Sequence, residues 1–141
     1  MTRDEILALV QRRAAASAAR DSVALAATHA ENGIVASPTG GVLEGRAEIE
    51  RIYGLFFSAF PDMLMQQEEL LIDGDRVVLV ARLSGTHAGD FFGLAPTGRQ
   101  VEVRVALIMS VADGFVVEER RIYDFTGMLV QLGVLKAKPT A

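Results

Sequence analysis

Apolar residues near the N-terminus recur at the three- and four-residue spacing of an amphipathic helix. Thr2 and Glu5 precede them in the arrangement of a capping box, in which each side chain bonds the backbone of the other residue. The pattern therefore predicts a first helix over about residues 2–19. The positions that carry the helical spacing are Ile6, Leu9, Val10, Arg13 and Ala14.

A second helical segment is shorter. Asp21 is a suitable N-cap for a helix that extends to about Thr28. Asn32 and Gly33 then favour a turn into a brief β-prone run at residues 34–36. We expect the helical part of this third of the chain to end near Glu31.

A third apolar stripe follows the loop at residues 38–41 and predicts a helix over about residues 45–59. Pro61 ends this helix, because proline cannot continue the helical hydrogen-bond pattern. Three aromatic side chains share one side of the helix. The stripe consists of Ile49, Ile52, Tyr53, Phe56 and Phe60.

The second half of the chain has the pattern of strands. Val, Ile and Leu are enriched in its strand-length runs, and Asp-Gly turns connect the first pair and the last pair as hairpins. An apolar loop at 87–100 joins the two hairpins, and 125–135 has the pattern of a short helix or turn. Helices followed by a strand meander predict an α+β fold and not alternating βαβ units. The four runs are 63–72, 76–86, 101–111 and 115–123.

An antiparallel sheet that curls around one helix leaves a cavity between its concave face and that helix. We expect Tyr53, Phe56 and Phe60 to form a wall or lid of such a cavity. Ordinary core packing is the open alternative for each of these aromatic residues. At 141 residues, half of them apolar, the chain is predicted to form a single domain over residues 1–141.

Composition excludes several classes of function. The net charge is −4 and the basic residues are scattered, so we expect no nucleic-acid partner. The chain has no cysteine and two histidines, which argues against a metal site, and we expect cofactor-free chemistry. No run reaches the length of a membrane span and no leader pattern is visible, so we expect a cytoplasmic protein with no membrane partner.

Strand parity points to one carboxylate as a candidate acid/base. Asp124 follows the last strand and shares parity with Glu118 and Arg120, which predicts that the three side chains lie on one face. A carboxyl group beside an apolar cavity has a raised pKa, in the range useful for proton transfer. The alternative is that Asp124 caps a helix that begins at Phe125 and lies at the surface.

His87 is the second candidate. By parity it shares the apolar face of the strand that contains Val77 and Leu79, if the strand stays regular that far. Histidine is the side chain that most readily gains or loses a proton near neutral pH, which suits proton relay or orientation of a substrate carbonyl. The alternative is a histidine at a loop tip that bonds to the backbone. His29 is expected to be structural or exposed.

Several short motifs occur in the order found in one known family. Together they resemble the SnoaL-like polyketide cyclases, or ester cyclases, of the nuclear transport factor 2-like superfamily, over nearly the whole chain. The motifs are Phe60-Pro61-Asp62, Gly74-Asp75-Arg76-Val77, Gly85-Thr86-His87-Ala88-Gly89, Pro96-Thr97-Gly98-Arg99, Tyr123-Asp124 and Gln131-Leu132-Gly133.

The resemblance implies a cone-shaped α+β fold, a hydrophobic pocket and a homodimer formed through the outer face of the sheet. It also implies an intramolecular aldol reaction without cofactor, with the family's catalytic aspartate matching Asp124. Two positions depart from the family pattern. Leu107 begins a stretch where several cyclases carry a histidine, and many members have an aromatic residue, often Trp, near Arg120, whereas this chain has no Trp.

Three hypotheses follow from these observations. The first is a cyclase or isomerase in which Asp124 shuttles a proton and His87 positions a carbonyl. The second is a protein that binds a small apolar molecule without changing it. The third, hydrolysis of an epoxide or ester, would need Asp62, Arg104 and Asp124 around one water, although the parity of Arg104 disfavours it. In the first two hypotheses the expected pocket residues are Tyr53, Phe56, Phe60, Phe91, Leu107 and Arg120.

Overall fold

The computed structural model describes residues 1–136 and contains four helices and one six-stranded sheet over that range. No helix among the described residues is long and apolar enough to cross a membrane. The helices are α1 (Arg3–Ala18), α2 (Ser22–Ala26), α3 (Arg46–Ala59) and α4 (Phe125–Gln131). The strands are β1 (His29–Ser37), β2 (Gly41–Glu44), β3 (Leu64–Asp73), β4 (Arg76–Thr86), β5 (Gln100–Ala112) and β6 (Phe115–Tyr123).

The helix starts agree with the predicted caps. The capping box of Thr2 and Glu5 forms at the N-terminus of α1. The Asp21 carboxylate accepts a hydrogen bond from the backbone N–H of Ala24 at the start of α2. Pro61 follows Phe60, the C-cap residue of α3. The order of the elements, with three helices before most of the sheet, confirms the predicted α+β class.

The strand order is β2-β1-β6-β5-β4-β3, so β2 and β3 are the two edges of an open sheet. β3 to β6 form the predicted antiparallel meander. The prediction was wrong at β1, which begins at His29 and pairs in parallel with β6. The helical segment expected to reach Glu31 ends at Ala26. The loop expected at residues 38–41 is shorter, because β2 begins at Gly41.

The inner face of the sheet packs against α1 and α3. Alternate residues of β4 and β5 are buried there and contact Ile6 and Leu9 of α1. A second cluster joins Phe60, Phe91 and Met128 to the far ends of the same strands. The two clusters hold the helices over the sheet. A cavity remains between the helices and the inner face of the sheet.

A β-bulge changes the direction of side chains along β6. Ser110 of β5 pairs with Glu118, whereas the next residue, Val111, pairs with Val116. Val117 is thus one extra residue, and the parity of the strand shifts by one after it. From that point the inward side chains are those of Glu119, Arg121 and Tyr123.

Candidate functional site

A cavity of about 130 Å³ lies between the inner face of the sheet and helices α1 and α3. Its walls are mostly apolar: β4 and β5 supply aliphatic side chains, and α3 supplies aromatic ones. Leu107 lines the cavity, as expected, opposite Arg121 on the neighbouring strand. The helices and the sheet therefore form one chamber that suits a small apolar molecule.

The aromatic wall comes from one side of α3. Tyr53, Phe56 and Phe60 line the cavity, at the helical spacing seen in the sequence. Phe91 does not line it, but it supports the wall from behind, edge-on to Phe56 at 5.5 Å and to Phe60 at 5.3 Å between ring centroids. The apolar loop at 87–100 thus packs over this end of α3.

One end of the cavity is charged. Arg13 of α1 donates from Nη2 to Glu119 Oε1 at 2.5 Å, and Arg121 donates from Nε to Glu119 Oε2 at 2.7 Å. Glu119 is fully buried, and the side chains of Arg13 and Arg121 are 8% and 10% exposed. All three line the cavity, so a carboxylate between two guanidinium groups forms its polar end.

His29 and Tyr53 extend this cluster. His29 Nε2 lies 3.1 Å from Arg13 Nη1 and 3.1 Å from the Tyr53 hydroxyl, and the Arg121 guanidinium lies 4.8 Å from the centre of the Tyr53 ring. Because Arg13 can only donate, Nε2 accepts, and the ring proton of a neutral His29 is on Nδ1. Nδ1 itself is buried without a hydrogen-bond partner.

The protonation states follow from burial and from the neighbouring charges. Burial alone would raise the pKa of Glu119, but Arg13 and Arg121 outweigh it and lower the pKa to about 2. Burial, reinforced by Arg13, lowers the pKa of His29 to about 3, although Glu119 acts in the opposite direction. Near neutral pH the cluster therefore holds two guanidinium cations, one carboxylate and a neutral imidazole.

The structure places Asp124 outside the cavity. Its carboxylate is exposed and accepts the backbone N–H of Gly127 at 2.8 Å as the N-cap of α4. Arg120 is exposed as well and does not line the cavity. The prediction that Glu118, Arg120 and Asp124 share the inward face was wrong. The bulge at Val117 turns all three to the outside.

His87 is buried, as parity suggested, but it does not line the cavity. It packs against Phe60 at 5.6 Å between ring centroids, and its Nδ1 accepts the backbone N–H of Thr97 at 3.2 Å. Its backbone also bonds to Arg99 and Gly98. These contacts hold the loop closed, and they agree with the alternative of a histidine bonded to the backbone.

The set required for the hydrolysis hypothesis is not assembled. Asp62 accepts hydrogen bonds from the backbone and the hydroxyl of Thr86, and Arg104 pairs with Glu68 on the outer face. Within residues 1–136 no group of three His, Asp or Glu side chains is arranged to hold a metal ion.

Sequence reasoning missed Arg13, Glu119 and Arg121 as site residues. Arg13 did carry a signal, because it occupies an apolar position of the α1 stripe, and a charge at such a position needs a buried partner. Glu119 and Arg121 had none, since a strict two-residue period assigns them to the outside.

Comparisons with known proteins agree with the architecture. The family model for SnoaL-like polyketide cyclases matches residues 8–132. A search of the curated proteins gave no match. Among solved structures, AclR from Streptomyces galilaeus, a candidate hydroxylase, is 27% identical with a TM-score of 0.84, and the match covers 98% of this chain and 91% of AclR.

Two further structures are similar. IdmH from Streptomyces antibioticus, a candidate polyketide cyclase, is 27% identical with a TM-score of 0.74 and coverage of 89% of this chain and 96% of IdmH. A candidate SnoaL-like polyketide cyclase from Jannaschia sp. CCS1 shares the fold at 24% identity, with a TM-score of 0.84 and coverage of 94% of each chain. With most of its length matched by the family model, the chain belongs to the SnoaL-like polyketide cyclase family.

Proposed function

We propose that the protein is a cofactor-free cyclase or isomerase that acts on a polyketide-type or other largely apolar carbonyl compound. The observation that carries this proposal is the shape of the site: an apolar chamber whose charged end is built from buried side chains. The apolar body of a ligand packs against Phe56 and Phe60, which directs its carbonyl oxygen to the Arg121 end.

The chemistry that this arrangement favours proceeds through an enolate. When a carbon next to a carbonyl group loses its proton to solvent water, the electron pair moves onto the oxygen, and guanidinium N–H groups stabilise the negative charge of the enolate. The enolate carbon then attacks a second carbonyl group of the same molecule, and the resulting alkoxide takes a proton back from water. The chamber holds the two carbons together.

Proton removal needs an acceptor other than Asp124, because Asp124 lies outside the cavity. Glu119 is a weak base, since the two arginines lower its pKa to about 2. We therefore assign to the charged cluster the stabilisation of the enolate and not the abstraction of the proton. Arg121 is the residue that contacts the oxygen, and Glu119 and Arg13 are positioning residues.

A binding protein that leaves its ligand unchanged is the second candidate. The same weakness of Glu119 as a base favours it, because no other carboxylate lines the cavity within the part of the chain that the structure describes. Such a protein would use the chamber and the Arg121 end only to hold a small molecule.

A screen of purified protein distinguishes the two candidates. Aromatic ketones, polycyclic aromatics, steroids and polyketide esters are tested for a shift in melting temperature, because a ligand that binds only the folded state stabilises it. Each ligand that binds is incubated and analysed by chromatography for an isomer or a cyclised product. The enzyme is supported if the Arg121→Gln variant loses this conversion and the Arg120→Gln variant keeps it. A bound ligand recovered unchanged supports the binding protein.

We also propose that the protein forms a homodimer through the outer face of the sheet. Apolar side chains cross four strands there, and Leu71 and Ile122 are 58% and 50% exposed. Arg82 pairs with Glu102 beside this stripe, so each of these two charges already has a partner within its own chain. Light scattering tests the state: a dimer that Ile122→Glu dissociates is expected, and a wild-type monomer would refute it.

A further inference from the structure

The charged end of the cavity carries an excess of positive charge. Arg13 and Arg121 supply two cations and Glu119 supplies one anion, while His29, the other titratable ring in contact with Arg13, is neutral near pH 7. The three charged side chains are nine-tenths or more buried. A buried net charge is costly unless a counter-charge joins it.

Arg121 also has an unused donor. Its Nε donates to Glu119 and its guanidinium lies over the Tyr53 ring, but its Nη2 is buried without a hydrogen-bond partner. A guanidinium group matches two oxygens of one planar anion, since its N–H groups form a fixed fork. Arg121 lines the cavity, and the remaining N–H groups of its guanidinium therefore provide donors for such an acceptor.

We propose that the cavity selects organic molecules that enter it as planar oxyanions, either a carboxylate or the enolate of a 1,3-dicarbonyl, and that Arg121 is the anchoring residue. The proposal rests on the proposed function for its site and adds the charge of the substrate. It also accounts for the weak base at Glu119, because a ligand that is already ionised needs no strong base in the site.

The volume of the cavity sets the size of the enclosed part. At about 130 Å³ it is close to the volume of about 150 Å³ of an engineered apolar cavity that encloses benzene. A single aromatic ring is therefore about the largest group that the cavity encloses. Larger ligands need to extend through the mouth of the cavity.

Matched pairs of small probes test the charge directly. Benzoate and benzamide have nearly the same shape, and they differ in charge and in one donor group; benzoylacetone supplies a 1,3-dicarbonyl. Binding is measured at pH 7.5 by titration of the ¹⁵N-labelled protein, which detects weak complexes, with the Arg121 side-chain Nε–H as a local reporter. Benzoylacetone is titrated again above the pH at which its enol ionises.

We expect benzoate to bind at least about tenfold more tightly than benzamide and to shift the Arg121 Nε–H resonance. Arg121→Gln should remove this difference, Arg121→Lys should retain part of it, and Arg120→Gln should leave it unchanged. Benzoylacetone should bind more tightly as it ionises. Tighter binding of benzoate alone would assign the site to carboxylates, and tighter binding of the ionised diketone alone would assign it to enolates.

Equal affinity for benzoate and benzamide, with no tightening of benzoylacetone on ionisation, would overturn the proposal. So would a preference for benzoate that survives in a folded Arg121→Gln variant. The proposed function fails in a different way, if bound carbonyl compounds are never converted, whatever their charge. A neutral ketone that is converted while the anions show no preference would sustain the proposed function and refute this inference.

Discussion

Arg121 donates from Nε to Glu119 Oε2 at 2.7 Å, from a position two residues further along the same strand. The two side chains share the inner face of β6 only because the bulge at Val117 has shifted the parity before them. Arg13 approaches the same carboxylate from α1. One buried acid thus connects the first helix to the last strand at the polar end of the cavity.

Replacing Glu119 by Gln should destabilise the fold by about 3–5 kcal/mol, because it leaves two buried guanidinium groups without their counter-charge. The exposed neighbour provides the control: Glu118→Gln should change the free energy of unfolding by less than about 0.5 kcal/mol. Urea unfolding followed by circular dichroism measures both. Similar values for the two variants would show that the ion-pair cluster contributes little.

Acid should weaken the fold in two stages. Unfolded His29 takes up a proton below pH 6.5, whereas the folded pKa is about 3, so its contribution to stability is complete above pH 6.5 and is lost as the pH falls towards 3. Glu119 adds a second loss between pH 4.5 and about 2, because its folded pKa is lowered. Each group contributes a slope of at most about 1.4 kcal/mol per pH unit.

His29→Gln separates the two stages, since glutamine offers Arg13 an acceptor oxygen but does not titrate. Between pH 6.5 and 4.5 the free energy of unfolding of this variant should fall less steeply than that of the wild type, in urea titrations at each pH. Parallel curves would mean that His29 is protonated in the folded protein.

The cap at α4 predicts a small effect of Asp124. Asp124→Ala should cost about 1 kcal/mol of stability through the lost bond to the Gly127 N–H, and Asp124→Asn should cost less, because asparagine caps nearly as well. Ligand affinity should be unchanged in both variants, since the residue lies outside the cavity. Loss of turnover in a stable Asp124→Asn variant would restore its acid/base role.

Two glycines, one packed against the end of α3 and one inside that helix, should respond in opposite ways to alanine. A Cβ on Gly89 would lie 2.1 Å from the Ser58 carbonyl oxygen, so Gly89→Ala should displace the loop at residues 87–99 and cost roughly 1–3 kcal/mol. Gly54, inside α3, has only the Ser22 Oγ nearby, at 3.9 Å. Gly54→Ala should therefore stabilise by about 0.5–1 kcal/mol, which thermal unfolding can measure.

The sequence predicted the parts of the fold that local chemistry determines. The Thr2 capping box, Pro61 and the Asp-Gly turns mark the ends of helices and hairpins, and the structure agrees at each. The pairing of β1 with β6 was not predictable in this way. It joins residues more than eighty positions apart, and the parallel pairing of His29 with Val116 leaves no local pattern.

The site was predicted only on its apolar side. Tyr53, Phe56 and Phe60 follow helical spacing, which the structure retains. The charged side depends on the bulge at Val117, and a bulge formed by valine has no sequence marker, unlike one formed by glycine. One extra residue therefore exchanged Arg120 and Asp124 for Glu119 and Arg121 as the residues that face inwards.

The most direct test of the charged end is a comparison of binding constants for one ligand from the screen, in wild type, Arg121→Gln and Asp124→Asn. Circular dichroism first verifies that all three are folded. The structure predicts an affinity at least about tenfold lower for Arg121→Gln, because a charged hydrogen bond is lost, and an unchanged affinity for Asp124→Asn. An unchanged affinity in Arg121→Gln together with a large loss in Asp124→Asn would contradict the account.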